Sequence, residues 1–127
     1  MTIASTDDAV RVLETSSPPT IYIPPADVLT DHLRATGGTT YCEWKGDAAY
    51  YDIVVGEHVA QRAAWTYPNP KPEFASIQDF VSFYPGRVDV CYLGDEPVHP
   101  QPGNYYGGWV TADIVGPFKG ERGTEGW

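Results

Sequence analysis

Lys45, Glu14 and Cys42 are the side chains of this sequence best suited to chemistry, and each sits beside a turn or a break in the chain. Glu14 lies in a short β-type run, residues 11–15 (RVLET), just before Ser16-Ser17-Pro18-Pro19. Cys42, Lys45 and Asp47 surround a second turn, while Tyr22, Tyr50, Tyr51 and Tyr67 add rings with one polar end. A lysine whose pKa is lowered by burial can act as a base or form a Schiff base. A glutamate beside it could shuttle protons, and a thiol near a lysine is a candidate nucleophile. Lys45, Glu14 and Cys42 are therefore the candidate catalytic group, and Tyr22, Asp47, Tyr50, Trp65 and Tyr67 the candidate ligand contacts. The same residues have a structural reading. Lys45 and Glu14 would pair across strands, the tyrosines would be core rings, and Cys42 a small buried hydrophobe.

Trp44, Trp65 and Trp109 with Tyr67 have the composition of an aromatic cage for a flat ligand, although rings on strands more often build a core. The segment WTYPNP, residues 65–70, places two large rings before a rigid proline link, an arrangement suited to a pocket wall. His32, His58 and His99 lack metal-ligand spacing, and Cys42 and Cys91 form no CxxC, so no metal or other cofactor is expected. In a reducing compartment a disulfide between the two cysteines is disfavoured.

The elements that would position these residues are mostly strands. Residues 20–23 (TIYI) run into Pro24-Pro25, which lack donors and force the sheet to end or lie at an edge. Residues 26–34 have room for one helical turn, and Gly37-Gly38 reads as a turn. Residues 39–44 (TTYCEW), 48–55 (AAYYDIVV) and 58–67 (HVAQRAAWTY) form a three-strand meander, with Gly56-Glu57 fitting a type II′ loop. After the extended link 68–72, the apolar residues Phe74, Ile77, Phe80, Val81 and Tyr84 predict one main helix over 74–84. Residues 87–93 (RVDVCYL) alternate, placing Val88, Val90 and Tyr92 on one face of a further strand. A proline-rich loop and a last strand at 105–115 follow. This order gives a mainly β (α+β) class, not a parallel α/β sheet. The expected organisation is a flexible start at 1–10, one domain at 11–115 and a glycine-rich tail at 116–127.

Composition excludes several classes. The 127 residues suffice for one core, and 42% hydrophobic content argues against disorder. Seventeen acidic residues against eight basic ones give a net charge of −9, with no basic run, which disfavours nucleic acid and anionic membranes as partners. Neither a signal peptide nor an apolar stretch of about 20 residues is present, so the expectation is a soluble, cytoplasmic protein.

Several segments together resemble the DUF427 family, a domain of unknown function: RVLET (11–15), YIP (22–24), TYCEWKG (40–46), AAYY (48–51), AWTYPNP (64–70) and FYPGRVD (83–89). The match runs in order over residues 10–93. The resemblance implies a compact, mostly antiparallel, β-tent-like domain and little about activity. The nucleotidyltransferase-like label sometimes attached to the family finds no support here. There is no GS-x-D-x-D pattern for two magnesium ions, no GxxxxGK[ST] loop and no GxGxxG.

The reading with most content is a small polar or aromatic ligand held between Glu14, the 22–25 segment, the 42–47 turn and the 65–70 loop. The competing reading is a non-catalytic structural or protein-interaction module, and a metal-assisted enzyme is the third. Short strands with an open edge are compatible with a homodimer.

Overall fold

The computed structural model describes residues 2–13, 20–42, 45–88, 90–93, 96–100 and 108–110. The chain is mainly β. Its strands are β1 (Val10–Val12), β2 (Thr20–Tyr22), β3 (Leu33–Cys42), β4 (Gly46–Val55), β5 (His58–Thr66), β6 (Val81–Phe83), β7 (Tyr92–Leu93), β8 (Glu96–Pro97), β9 (His99–Pro100) and β10 (Trp109–Val110). Every pairing between them is antiparallel. The main sheet has the order β3-β4-β5-β6. Ile23 and Val81 exchange backbone hydrogen bonds of 2.8 Å each, so the β1–β2 ribbon continues this sheet past β6. Gly56 turns β4 into β5 at φ +59, while Glu57 keeps negative φ, as a type II′ hairpin requires.

Both faces of the sheet are buried where β4, β5 and β6 pair, whereas none of the described side chains of β3 is buried. Tyr50 pairs with Trp65 and Tyr51 with Ala64, so neighbouring residues of β4 and β5 point to opposite sides. One side holds Ile21, Ile23, Ile53, Ala64, Val81 and Phe83, covered by Val28, Cys91, Val98 and Trp109. The other holds Tyr22, Trp65, Tyr67 and Tyr84, covered by Val12 and Ile77. Two buried faces explain why the central strands read as near-continuous apolar runs. Near the start of the chain, Leu29 N–H donates to Ile3 O and Ser5 N–H to Asp27 O, and the Thr6 hydroxyl donates to the Asp27 carboxylate at 2.6 Å.

Three sequence expectations are corrected. The helix predicted over 74–84 is a 3-10 segment, Pro72–Ile77, followed by β6. Phe74, Ile77 and Phe80 recur every three residues, which suits 3-10 geometry as well as an α-helix. Asp79 at φ +62 then stops the coil, and Val81, Ser82 and Phe83 pair with Thr66, Trp65 and Ala64. Residues 87–93 do not form one strand: Pro85–Arg87 is a 3-10 turn and only Tyr92–Leu93 is extended pairing. Val90 and Tyr92 share the outer face, at 49% and 56% exposed, while the Val98 N–H bonds to Cys91 O and holds Cys91 inward. Gly37-Gly38 lies inside β3, not between elements. Of the last expected strand, Trp109–Val110 pairs with His99–Pro100; the rest of 105–115 and the tail at 116–127 lie outside the described residues, apart from Gly108.

Two bulges interrupt the main sheet. Between the pairs Ala35↔Tyr51 and Thr39↔Ala49, β3 uses four steps against two of β4. Between Tyr51↔Ala64 and Ile53↔Ala60, β5 uses four steps against two of β4. The first bulge faces Tyr50, the second Asp52. Arg62, in the second, takes φ +46, a region unfavourable for a non-glycine residue. The Asp52 carboxylate holds it there. Oδ1 accepts the Arg62 backbone N–H at 2.8 Å, and Oδ2 accepts Arg34 Nη2 at 2.8 Å.

The Arg34 guanidinium first, and then the Arg62 N–H, lower the pKa of Asp52 below the ordinary carboxylate value. A carboxyl with a lowered folded-state pKa contributes stability above its unfolded pKa, and that contribution is lost as pH falls through the folded value. Asp52→Asn is therefore expected to lower the urea midpoint at neutral pH. The gap between wild type and variant is expected to close at acid pH, below the ordinary aspartate range. Equal midpoints at neutral pH would show that the carboxylate does not hold the bulge.

Candidate functional site

Lys45 is 5% exposed, and its Nζ stands 5.8 Å from the centre of the Tyr67 ring and 5.9 Å from that of Phe74. Burying a lysine in this way requires compensating partners, and rings supply part of that compensation. The turn that places it depends on Gly46, at φ +109. A Cβ there would meet Asn69 O at 3.2 Å, so glycine lets the 68–71 link close against the turn, where Lys71 N–H bonds Lys45 O at 2.9 Å.

The rings beside Lys45 form one packed cluster. Tyr22 and Trp65 meet edge to face at 6.1 Å, and Trp65 Nε1–H donates to the Tyr22 hydroxyl at 3.3 Å. Tyr67 lies 6.3 Å from Tyr22, and Tyr84 lies 4.5 Å from Trp65. Of the sequence-predicted contacts, Tyr22, Trp65 and Tyr67 are thus brought together with Lys45, with their rings packed on one another. Tyr50 is half-buried at the margin of this cluster. Asp47 is exposed on β4, opposite Tyr41, and stands apart. Cys42 ends β3 opposite Gly46. Glu14 and Trp44 lie outside the described residues. Trp109 packs in the other core, where its Nε1–H donates to Phe83 O.

Four further residues, not singled out from sequence, complete the cluster: Tyr84 is buried in it, and Thr40, Arg62 and Arg87 form its accessible edge. The Arg62 guanidinium sits 4.2 Å from the Tyr50 ring centre, and that of Arg87 sits 4.1 Å from the Tyr84 ring centre. Arg87 Nη1 donates to Arg62 O at 2.9 Å, tying the two stacks together. The Thr40 and Tyr50 hydroxyls are hydrogen-bonded at 2.6 Å. Burial first, and the adjacent Tyr50 second, push the Tyr84 pKa up to about 12, while Arg87 and Arg62 pull it down. A sequence signal exists for the residue that holds Arg62: Asp52 interrupts the otherwise apolar run 50–55 (YYDIVV), and a buried charge needs a partner.

A groove of about 330 Å³ lies on the opposite face, lined by Pro25, Thr30, Leu33, Tyr51, Thr66, Asp79 and Val81. It borders two of the expected pocket walls, 22–25 and 65–70. Strand alternation, however, turns Thr66 and not Trp65 toward it. Polar chemistry is concentrated on the ring face, and the ring face is the candidate site.

His32 Nδ1 lies 2.9 Å from Val54 O, and His58 is exposed beside the hairpin. Among the described residues no group of three or more His, Cys, Asp and Glu is placed to hold a metal ion. Cys91 is a free buried thiol whose pKa burial raises to about 11. Among the described residues no helix is long and apolar enough to cross a membrane.

The packing makes a stability prediction. Trp65→Ala is expected to cost about 3–5 kcal/mol, the usual range for emptying a large aromatic site. Tyr22→Phe, which removes the acceptor of the Trp65 N–H, is expected to cost about 1 kcal/mol. Urea unfolding of both variants checks this, and a near-neutral Trp65→Ala would mean that the rings are not a load-carrying core.

No curated protein matches the chain. The sequence profile of the family described as Domain of unknown function (DUF427) matches residues 1–94, nearly three-quarters of the length, and includes every strand of the main sheet and the Lys45 turn. The chain belongs to the DUF427 family.

Proposed function

We propose that this domain binds a small polar or aromatic ligand at the accessible edge of its ring cluster, over Tyr50, Arg62 and Arg87, with the buried Tyr84 behind them. The observation that carries this reading is the pair of bulges flanking β4 at Tyr50 and Asp52. Bulges gather beside binding and active sites because they re-aim side chains. Here one of them holds Arg62 in a strained backbone conformation and seats its guanidinium on a ring. Strain of this kind persists only where the surroundings enforce it, and Asp52 supplies that enforcement.

The packed interior, Tyr22, Trp65 and Tyr67, serves as the wall behind this edge, not as the contact surface. Lys45 is buried too, beside Tyr67 and Phe74. Catalytic use of Lys45 would require the ligand to reach a buried ammonium.

A protein-observed NMR screen of small aromatic and polar compounds tests the reading. Hits are expected to shift the signals of Tyr50, Arg62 and Tyr84, and Tyr50→Ala is expected to weaken them about tenfold, a loss of about 1.4 kcal/mol. Hits that instead shift Tyr51, Asp79 and Leu33 would move the site to the groove on the other face. No hits at all would favour a structural or interaction module.

A further inference from the structure

The groove on the face away from the rings contains a polar group that the fold leaves unanswered. Thr66 lines it, is 3% exposed, and its hydroxyl has no hydrogen-bond partner. Native structures leave few buried hydroxyls in that state, because the lost bond to water is not replaced. The register puts it there. Thr66 pairs with Val81 at the end of β5, and alternation turns it to the side shared by Ala64 and Tyr51.

Asp79 stands at the rim of the same groove. It is exposed, and among the described lining residues it is the charged one, with no basic residue beside it. Among the described residues its carboxylate makes no ion pair. Its backbone takes φ +62, and its N–H bonds to Tyr67 O at 3.2 Å. Tyr67 directly follows Thr66, so this bond brings Asp79 to the end of β5 where Thr66 sits. Positive φ in a residue other than glycine gathers at binding sites, and Asp and Asn tolerate it best.

The remaining walls are mostly apolar: Pro25, Leu33, Val81 and the ring of Tyr51, with Thr30 at the rim. The volume of about 330 Å³ falls at the small end of small-molecule sites. Asp79 and the net charge of −9 repel an anion. A metal ion needs more than one carboxylate, and among the described residues no group of three or more His, Cys, Asp and Glu is placed to supply it. A neutral apolar molecule leaves the Thr66 hydroxyl unpaired. A primary ammonium has three N–H donors and no acceptor, and a carboxylate and a hydroxyl oxygen both accept.

We propose that this groove is a second site, separate from the ring edge, that binds a small primary amine with an apolar body. The ammonium pairs with Asp79 and donates to the Thr66 hydroxyl, and the body lies against Leu33, Tyr51 and Val81. Thr66 meets it by turning its hydroxyl into the groove, a rotation about one bond between staggered positions. No bond is made or broken.

The experiment is a protein-observed NMR titration of the full chain with n-pentylammonium chloride, at neutral pH and constant ionic strength. The comparison titrants are 1-pentanol, sodium pentanoate and ammonium chloride. Saturable shifts are expected with the amine at the Leu33, Thr66, Asp79 and Val81 amides, with binding at least about tenfold tighter than any comparison titrant. Arg62 and Tyr84, on the other face, are expected to stay in place. The key variant is Asp79→Asn, which keeps a residue suited to φ +62 and removes the charge. Its urea midpoint confirms the fold, and amine affinity is expected to fall at least about tenfold. Thr66→Val removes the hydroxyl and suits a strand. It is expected to raise the urea midpoint of the free chain and to weaken the amine about tenfold.

1-Pentanol or ammonium chloride binding as tightly as the amine, or an unchanged affinity in folded Asp79→Asn, would each overturn the amine site. So would a Thr66→Val variant of lower midpoint and unchanged affinity, since its hydroxyl would then have a partner already. Shifts confined to Arg62 and Tyr84, or no shifts at all, would overturn it as well. The ring-edge site is read from other signals and stands or falls separately.

Discussion

A single carboxylate, Asp52, sets the geometry on which the ring face depends. It fastens the backbone of Arg62 and the side chain of Arg34 with two charge-assisted hydrogen bonds. Without that hold, β5 has no reason to take four steps where β4 takes two, or to keep Arg62 at positive φ. Register in a sheet with two buried faces is unforgiving, because a one-residue slip sends every side chain to the wrong core. The bulge absorbs two extra residues and so preserves the facing of Ala60 and of Ala64 on either side. It also lets the Arg62 side chain lie back over Tyr50.

From this constraint the rest of the face follows. The Arg62 carbonyl becomes the acceptor for Arg87, and the Ala63 carbonyl accepts the Tyr84 N–H. These bonds fix the segment after β6 against β5. Tyr84 is then pressed onto Trp65, Trp65 onto Tyr22, and Tyr67 beside Lys45. A polar node thus organises an aromatic core, and the cations of the node and the turn sit on aromatic rings. Each exposed cation–ring contact contributes only about 0.5–1 kcal/mol, so the value of the arrangement lies more in fixed orientation than in stability.

Much of the fold was legible because its signals are local. Alternating and β-branched runs marked β2, β4 and β5, and Gly56 marked the hairpin. The predicted helix failed for a physical reason: a spacing of three fits the 3-10 segment, and the break at Asp79 depends on pairing of Val81 with Ile23, which no local pattern encodes. Which side of residues 90–92 turns inward likewise comes from Val98, the partner of Cys91. At the site, tyrosine, tryptophan and lysine stood out by type, and Tyr22, Lys45, Trp65 and Tyr67 do meet. The sequence could not say that their rings fill the space between them. Nor could it reveal Arg62 and Arg87 as a pair, since they are joined through a backbone carbonyl across 25 positions.

The most direct measurement of this account is the NMR titration of the Asp52 carboxyl carbon together with the Arg62 backbone amide. Both signals are expected to move with one shared midpoint below the ordinary aspartate value, because protonating the carboxylate weakens the bond that holds the bulge. A midpoint at the ordinary value, or an Arg62 amide that ignores it, would contradict the claim that Asp52 is the residue on which this face is built.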